Sequence, residues 1–209
     1  MKFTKRDLIF SVATGLITGF SAWRIFGFLK VPVYGGISYS WLLIIVPVVW
    51  ILGVNLGYFL GRWFSFFNQF GKFTTLGFTN AAVDFGVLNL LIAATGISTG
   101  IWYPAFKGVS FVCAVIPSFF WNKYWAFGAG KSGSGKAEFL KFMSVMIIAI
   151  LINDGTASLV VNFVHPVLGL SATAWANVSA VVGSAVALIF SFTGFKVAVF
   201  KVKDEAVNV

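Results

Sequence analysis

Two carboxylates interrupt the apolar runs of this chain, and each has an amide close by. Asp84 lies in "FTNAAVDFGVLNLL", four residues after Asn80, and Asp154 directly follows Asn153 in "MIIAILINDGTASLV". A four-residue spacing puts Asn80 and Asp84 on one helix face. An ionised carboxylate facing lipid at mid-depth costs about 2.5–3.5 kcal/mol. Each Asp must therefore face other helices, a wet cavity or a basic partner, or stay protonated. Two readings stand at this point: a buried node that holds helices together by hydrogen bonds, or a polar cavity that admits cargo or cycles a proton. Desolvation disfavours the charged form of Asp84 unless a cation such as Lys107 reaches it. Lys107 sits only a few residues inside its own apolar run. It can snorkel to headgroups, bind a phosphate or pair with a carboxylate.

Other chemistry is not encoded. No Ser–His–Asp set converges, so no covalent catalysis, and hence no enzyme, is expected. Cys113 and His165 are the only residues of their types and stand far apart, so neither a disulfide within the chain nor a zinc site is expected. No cofactor is called for. "GAGKSGSGKA" comes near a phosphate-binding loop through Gly130, Gly135 and Lys136, but Ala137 stands where a Ser or Thr would hold magnesium. An apolar run rather than a strand precedes it, and a flexible basic link is the expectation.

The elements that must position Asp84 and Asp154 follow from composition. The chain has 209 residues, 59% hydrophobic and 10% charged, with a net charge of +9. Its mean hydropathy is +0.93. Soluble domains carry about 25% charged residues, so an all-α integral membrane protein is expected. Six spans are predicted, over residues 8–29, 39–61, 73–95, 103–126, 142–164 and 172–195. Each is long enough to cross a core of about 30 Å at about 1.5 Å per residue. The opening "MKFTKRD" and its long apolar run read as an uncleaved first span rather than a cleaved leader. Connectors are marked by Pro32, Gly35 and Gly36, by Gly96, Gly100 and Pro104, and by His165, Pro166 and Gly169.

Charge sets the expected direction. With the N-terminus inside, Lys2, Lys5, Arg6, Arg62, Lys72, Lys123, Lys131, Lys136, Lys141, Lys196, Lys201 and Lys203 face the cytoplasm, and only Arg24, Lys30 and Lys107 face out. That bias predicts cytoplasmic termini in a multi-pass cell-membrane protein. It also assigns the positive charge to anionic membrane lipids rather than nucleic acid. Trp41, Trp63, Trp102, Tyr103, Trp121, Tyr124 and Trp125 fall near span ends as an interfacial belt. Gly15 and Gly19 in span one, and Gly53, Gly57 and Gly61 in span two, are spaced four apart for close helix packing. Asn55 is expected to hydrogen-bond to another helix.

The later spans carry an internal echo. "FGKFTTLGFTNAAVD" from Phe70 resembles "FLKFMSVMIIAILIND" from Phe139, and "SFFWNKYWAF" from Ser118 aligns without a gap on "SFTGFKVAVF" from Ser191. Two hairpins, each starting on the inner side, make a parallel repeat. The repeat matches Lys72 with Lys141, Lys123 with Lys196, and Asp84 with Asp154.

These same stretches resemble the GtrA-like family over about residues 70–203. The carriers are Phe70, Phe73, Gly77, Asn80, Asp84, Asn122, Trp125, Phe127 and Phe200. The resemblance implies a four-helix membrane domain built of two hairpins over 67–203, joined to two additional N-terminal helices over 1–66 and followed by a cytoplasmic tail at 204–209. Gly194 and Phe195 occupy a place where the family often has another Asn. The resemblance further implies work on polyprenyl-phosphate-linked sugars: flipping such a lipid, or a related polyprenyl phosphate, for cell-surface polysaccharide or teichoic acid glycosylation. The alternative is a non-transporting anchor for a polyprenyl-phosphate glycosyltransferase. The implied partners are the polyprenyl phosphate or its glycosylated form, membrane lipids and a glycosyltransferase, with assembly as a homo-oligomer left open. On that reading Lys72, Lys123, Lys141 and Lys196 ring the inner mouth and contact phosphate, though general attraction to anionic lipid explains them equally. Asn80, Asp84, Asn122 and Asp154 line a polar path, and Lys107 and Trp125 complete the candidate binding set.

Overall fold

A computed structural model describes residues 2–33, 36, 38–130, 135–167 and 169–200. Gly35, Lys131, Lys201, Lys203 and the 204–209 tail lie outside the described residues. The described chain is helical without a strand, and six helices are long and apolar enough to cross a membrane. They are α1 (Lys5–Phe28), α2 (Leu42–Leu60, entered through a 3₁₀ turn, Tyr39–Trp41), α3 (Phe67–Thr95), α4 (Trp102–Trp121), α5 (Gly135–Phe163) and α6 (Ala172–Gly194).

Their ends have local causes. Thr4 and Asp7 form a reciprocal capping box that starts α1. Ser171 caps α6 by accepting from the Ala174 N–H. Gly96, with φ 71°, closes α3 in the left-handed conformation that suits glycine. Helices α3 and α5 begin at Phe67 and Gly135, earlier than the expected spans at 73 and 142. Asn68, Gln69 and Lys72, and likewise Glu138 and Lys141, depress local hydropathy without opposing a helix. At 29 residues each, these helices run about 43 Å and outreach a core of about 30 Å.

Helices α4 and α6 both end in a π-helical turn, Asn122–Ala126 and Phe195–Val199. The Phe127 N–H donates to the Asn122 carbonyl at 2.9 Å, and the Phe200 N–H donates to the Phe195 carbonyl at 2.8 Å. These turns fall at matching places in the gapless alignment of 118–127 on 191–200. The same rare geometry at the same register supports the hairpin repeat.

The chain divides into two compact units, 1–128 and 129–209. In the first, α1 packs on α2 and α3, α2 on α3, and α3 on α4. Small residues set the closeness of these packings. A Cβ on Gly15 would lie 2.4 Å from Pro47 Cα, and one on Gly71 would lie 3.2 Å from Gly57 Cα. A buried hydroxyl seam runs beside them. Thr18 and Thr79 share a hydrogen bond of 3.0 Å, and Trp50 Nε1 donates to Thr79 Oγ1 at 3.4 Å. Asn55 is not the expected tie between helices. It is exposed, and its amide donates to its own helix at Ile51 (2.8 Å), which satisfies it at no cost in helix geometry. In the second unit α5 pairs with α6, and the Phe195–Val199 turn folds back on α5.

Candidate functional site

In the sequence Asp84 is a lone carboxylate with several possible fates, and the structure gives it one. Asp84 lies eleven residues from the Thr95 end of α3, and Lys107 lies five residues into α4. At about 1.5 Å per residue the two backbone positions differ by about 9 Å in depth, and the long Lys107 side chain spans much of that difference. Lys107 Nζ forms an ion pair with Asp84 Oδ2, and Ser110 Oγ donates to Asp84 Oδ1 at 2.6 Å. Both carboxylate oxygens are thus engaged from α4. The Asp84 side chain is 18% exposed and that of Lys107 is 41% exposed. The pair is a reachable charge couple within the membrane-spanning segments rather than a sealed one. Lys107 Nζ also stands 5.3 Å from the centroid of the Phe85 ring.

Asn80, one turn before Asp84, keeps a buried carbonyl oxygen with no hydrogen-bond partner in the structure. Asn122 is buried, and its amide donates to the Ser118 carbonyl at 2.8 Å. Its Oδ1 also has no hydrogen-bond partner. An unmatched buried acceptor is costly, and a hydroxyl-bearing ligand would satisfy it.

Lys123 is buried in the first π-turn, with its ammonium 5.9 Å from the Tyr124 ring centroid. Lys196, in the second π-turn, is exposed and stands 5.9 Å from the Phe192 ring centroid. Lys141 is exposed on α5. Lys72 is placed otherwise: its Nζ lies 2.7 Å from Asp7 Oδ1.

Asp7 is a site that no pattern of polar residues within the apolar runs announces. It is 2% exposed. Its Oδ1 also accepts from Trp125 Nε1 at 2.9 Å. Its Oδ2 accepts from the Tyr58 hydroxyl at 2.9 Å, from Thr4 Oγ1 at 2.8 Å and from the Thr4 N–H at 3.0 Å. One carboxylate therefore ties α1, α2, α3 and the π-turn after α4. Trp125 stacks on Phe10 at 5.2 Å, so this candidate binding residue has a structural duty. The available signal was Thr4-x-x-Asp7 ahead of an apolar run, a capping-box pattern.

In the second unit Asp154 is exposed, and its neighbour Asn153 faces α6. Asn153 Nδ2 lies 3.5 Å from Ser184 Oγ, and a Cβ on Gly183 would meet the Asn153 carbonyl at 2.5 Å. Holding Lys72 against Lys141 in the repeat puts Asn153, not Asp154, opposite Asp84. The gapless alignment of the later helices puts Ala180 opposite Lys107. The first hairpin thus carries a charged pair where the second carries a neutral amide.

Comparison with known proteins agrees with this architecture. The chain matches the family described as GtrA/DPMS, transmembrane domain, over residues 72–200. It is 32% identical over 79 residues to the uncharacterized membrane protein YngA of Bacillus subtilis (strain 168), covering 38% of this chain and 49% of that protein. The chain thus spans about half the length of this curated relative. No solved structure matches. Helices α1 and α2, with Asp7 and Tyr58, lie outside the family match, which begins at Lys72. The π-turns, Asp84 and both hairpins from Lys72 onward lie within it, and the chain belongs to the GtrA/DPMS transmembrane-domain family.

Proposed function

We propose that this protein translocates a polyprenyl-phosphate-linked sugar, or a related polyprenyl phosphate, between the leaflets of the cell membrane for cell-surface polysaccharide or teichoic acid glycosylation. The observation that carries the reading is the Asp84–Lys107–Ser110 cluster, a charge couple held within membrane-spanning helices yet partly exposed. A packing node needs neither the ions nor the exposure. Lys107 offers a cation to a passing phosphate, and Asp84 is the internal anion it returns to. Asn80 and Asn122 hold buried acceptors without partners, which sugar hydroxyls would satisfy. Lys123 and Lys196 are the phosphate contacts at the ends of the two hairpins.

Reconstitution in vesicles tests this. Asp84→Asn keeps the shape and removes the charge. It should slow translocation of the lipid-linked sugar by about tenfold or more, the worth of a lost hydrogen bond to a charged group, while lipid binding is largely kept. Lys123→Ala with Lys196→Ala should weaken binding instead. If folded protein carrying all three substitutions binds and flips as before, the reading fails.

The second reading is an anchor for a polyprenyl-phosphate glycosyltransferase. The close glycine and threonine packing of α1, α2 and α3 favours it, since a scaffold needs only a rigid bundle. Vesicles separate the two, because an anchor alone moves no lipid.

The positive-inside bias supports a direction with both termini in the cytoplasm. In a Cys113→Ser background, single cysteines at residue 136 and at residue 167 should label from opposite sides of sealed cells. Labelling from one side would overturn this topology.

A further inference from the structure

Helices α1 and α3 run side by side and in the same direction within the first unit. They touch where Gly86 passes Ser21: a Cβ on Gly86 would lie 3.2 Å from Ser21 Cβ. Around this contact and toward the far ends of both helices runs a groove of about 870 Å³. Ile17, Phe20 and Phe28 line one wall, and Val87 and Leu90 line the other. Phe20 is 53% exposed and Leu90 64%, so the groove faces the membrane rather than the core.

Three features name an occupant. First, the walls extend from Ile17 to Phe28 and from Val83 to Ala93. At about 1.5 Å per residue that is roughly 15–17 Å, half of a core of about 30 Å and so the depth of one leaflet. Second, the lining is apolar but for Ser21, Asn89 and one ion, Arg24. Third, Arg24 has no carboxylate within ion-pair distance among the described residues, and no acid lines the groove. Its guanidinium rests 6.0 Å from the Trp23 ring centroid, four residues from the end of α1, where a long side chain reaches the headgroup zone. A planar guanidinium takes a phosphate by two parallel hydrogen bonds.

We infer that the α1–α3 groove is a binding site for one anionic phospholipid of the adjoining leaflet, with an acyl chain along the groove and its phosphate on Arg24. The site is built partly from α1, outside the family match, and is separate from Asp84, which faces α4. The occupant is a resident lipid rather than the transported one, because the groove spans one leaflet and ends there.

Native mass spectrometry tests the site. Protein is released from liposomes of equimolar phosphatidylglycerol and phosphatidylethanolamine, and the lipids retained are counted. The unmodified protein should keep one phosphatidylglycerol with about fivefold preference, the worth of one Arg near a membrane surface. Arg24→Gln should abolish the preference, and Arg24→Lys should keep part of it. Gly27→Phe should fill the groove and reduce retention of both lipids. A Cβ at Gly27 meets nothing within 4 Å, so the backbone there has room to start a side chain. Equal retention of the two lipids by the unmodified protein overturns the site, as does Arg24→Gln or Gly27→Phe behaving like the unmodified protein. Adding a polyprenyl phosphate to the liposomes tests the occupant. If it displaces the phospholipid in an Arg24-dependent way, the assignment to a resident phospholipid is wrong.

Discussion

Asp7→Ala should lower the unfolding free energy by about 3–5 kcal/mol, as breaking one side of a buried ion pair does. The reason is the number of donors that share the carboxylate. Lys72, Tyr58, Trp125 and Thr4 all point at it, from α3, α2, the π-turn and the N-cap of α1. Removing it strands the Tyr58 hydroxyl and the Trp125 indole N–H in a closed place, and each stranded donor costs about 1–3 kcal/mol. Lys72 is the exception. Its side chain is 14% exposed and can swing toward water, which holds the loss nearer the lower bound. Asp7→Asn should cost less, since the amide oxygen still accepts from one or two of these donors. Trp125→Phe keeps the stack on Phe10 and removes one charge-assisted bond, for about 1.5–3 kcal/mol. Reversible unfolding in mixed detergent micelles, followed by tryptophan fluorescence, gives the values. A loss below about 1 kcal/mol for Asp7→Ala, the worth of an exposed pair, would show that the carboxylate does not hold the bundle.

Asp7 also shows where sequence reasoning stops. Span positions are legible because hydropathy is summed over about twenty residues and tolerates local noise. The six spans are legible that way, with errors confined to the early turns of α1, α3 and α5, where polar residues look like loop. Lys107 was legible as an odd cation because it breaks an apolar run. Asp7 breaks nothing. It stands among Lys2, Lys5 and Arg6, and by charge alone it reads as one more solvated residue of a cytoplasmic end. Its burial depends on α2, α3 and the π-turn meeting it, which no local pattern encodes. The same contact removes Lys72 from the group of lysines assigned to phosphate. Trp125 is a parallel case. Trp41, Trp63, Trp102, Tyr103 and Tyr124 are exposed, as a belt requires, while Trp125 is 3% exposed and spends its N–H on Asp7. Position near a span end does not distinguish these roles; the inward partner does. The repeat misled in one place for a chemical reason. Matching Asp84 with Asp154 aligns like with like but needs a one-residue gap, and on a helix one residue is a turn of about 100°. The ungapped partner, Asn153, is the one that faces α6.

The Asp84–Lys107 pair should respond unequally to loss of its two members. Lys107→Met leaves an unpaired carboxylate eleven residues from the end of α3, too deep and too short to reach water. The cost should be about 2.5–3.5 kcal/mol, the insertion penalty for an acid at mid-span. Asp84→Asn leaves Lys107, whose side chain is 41% exposed and starts only five residues from its helix end. That lysine can extend toward the headgroups, so the loss should stay within about 1 kcal/mol. The double variant carries neither charge. It should be close to Asp84→Asn in stability, so that removing the acid rescues the Lys107→Met defect by about 2 kcal/mol, and the interaction energy, which also subtracts the Asp84→Asn loss, is about 3 kcal/mol, the upper end for contacting charges. Ser110 can still donate to the new amide oxygen, which keeps the α3–α4 contact. Unfolding in micelles measures all three. If Lys107→Met is no more harmful than Asp84→Asn, the pair does not answer a buried charge. Transport separates the remaining roles. A packing node regains its function when its stability is regained, so the double variant would flip lipid normally. A working charge couple does not, and the double variant, stable and well folded, should still fail to move a lipid-linked sugar across the bilayer.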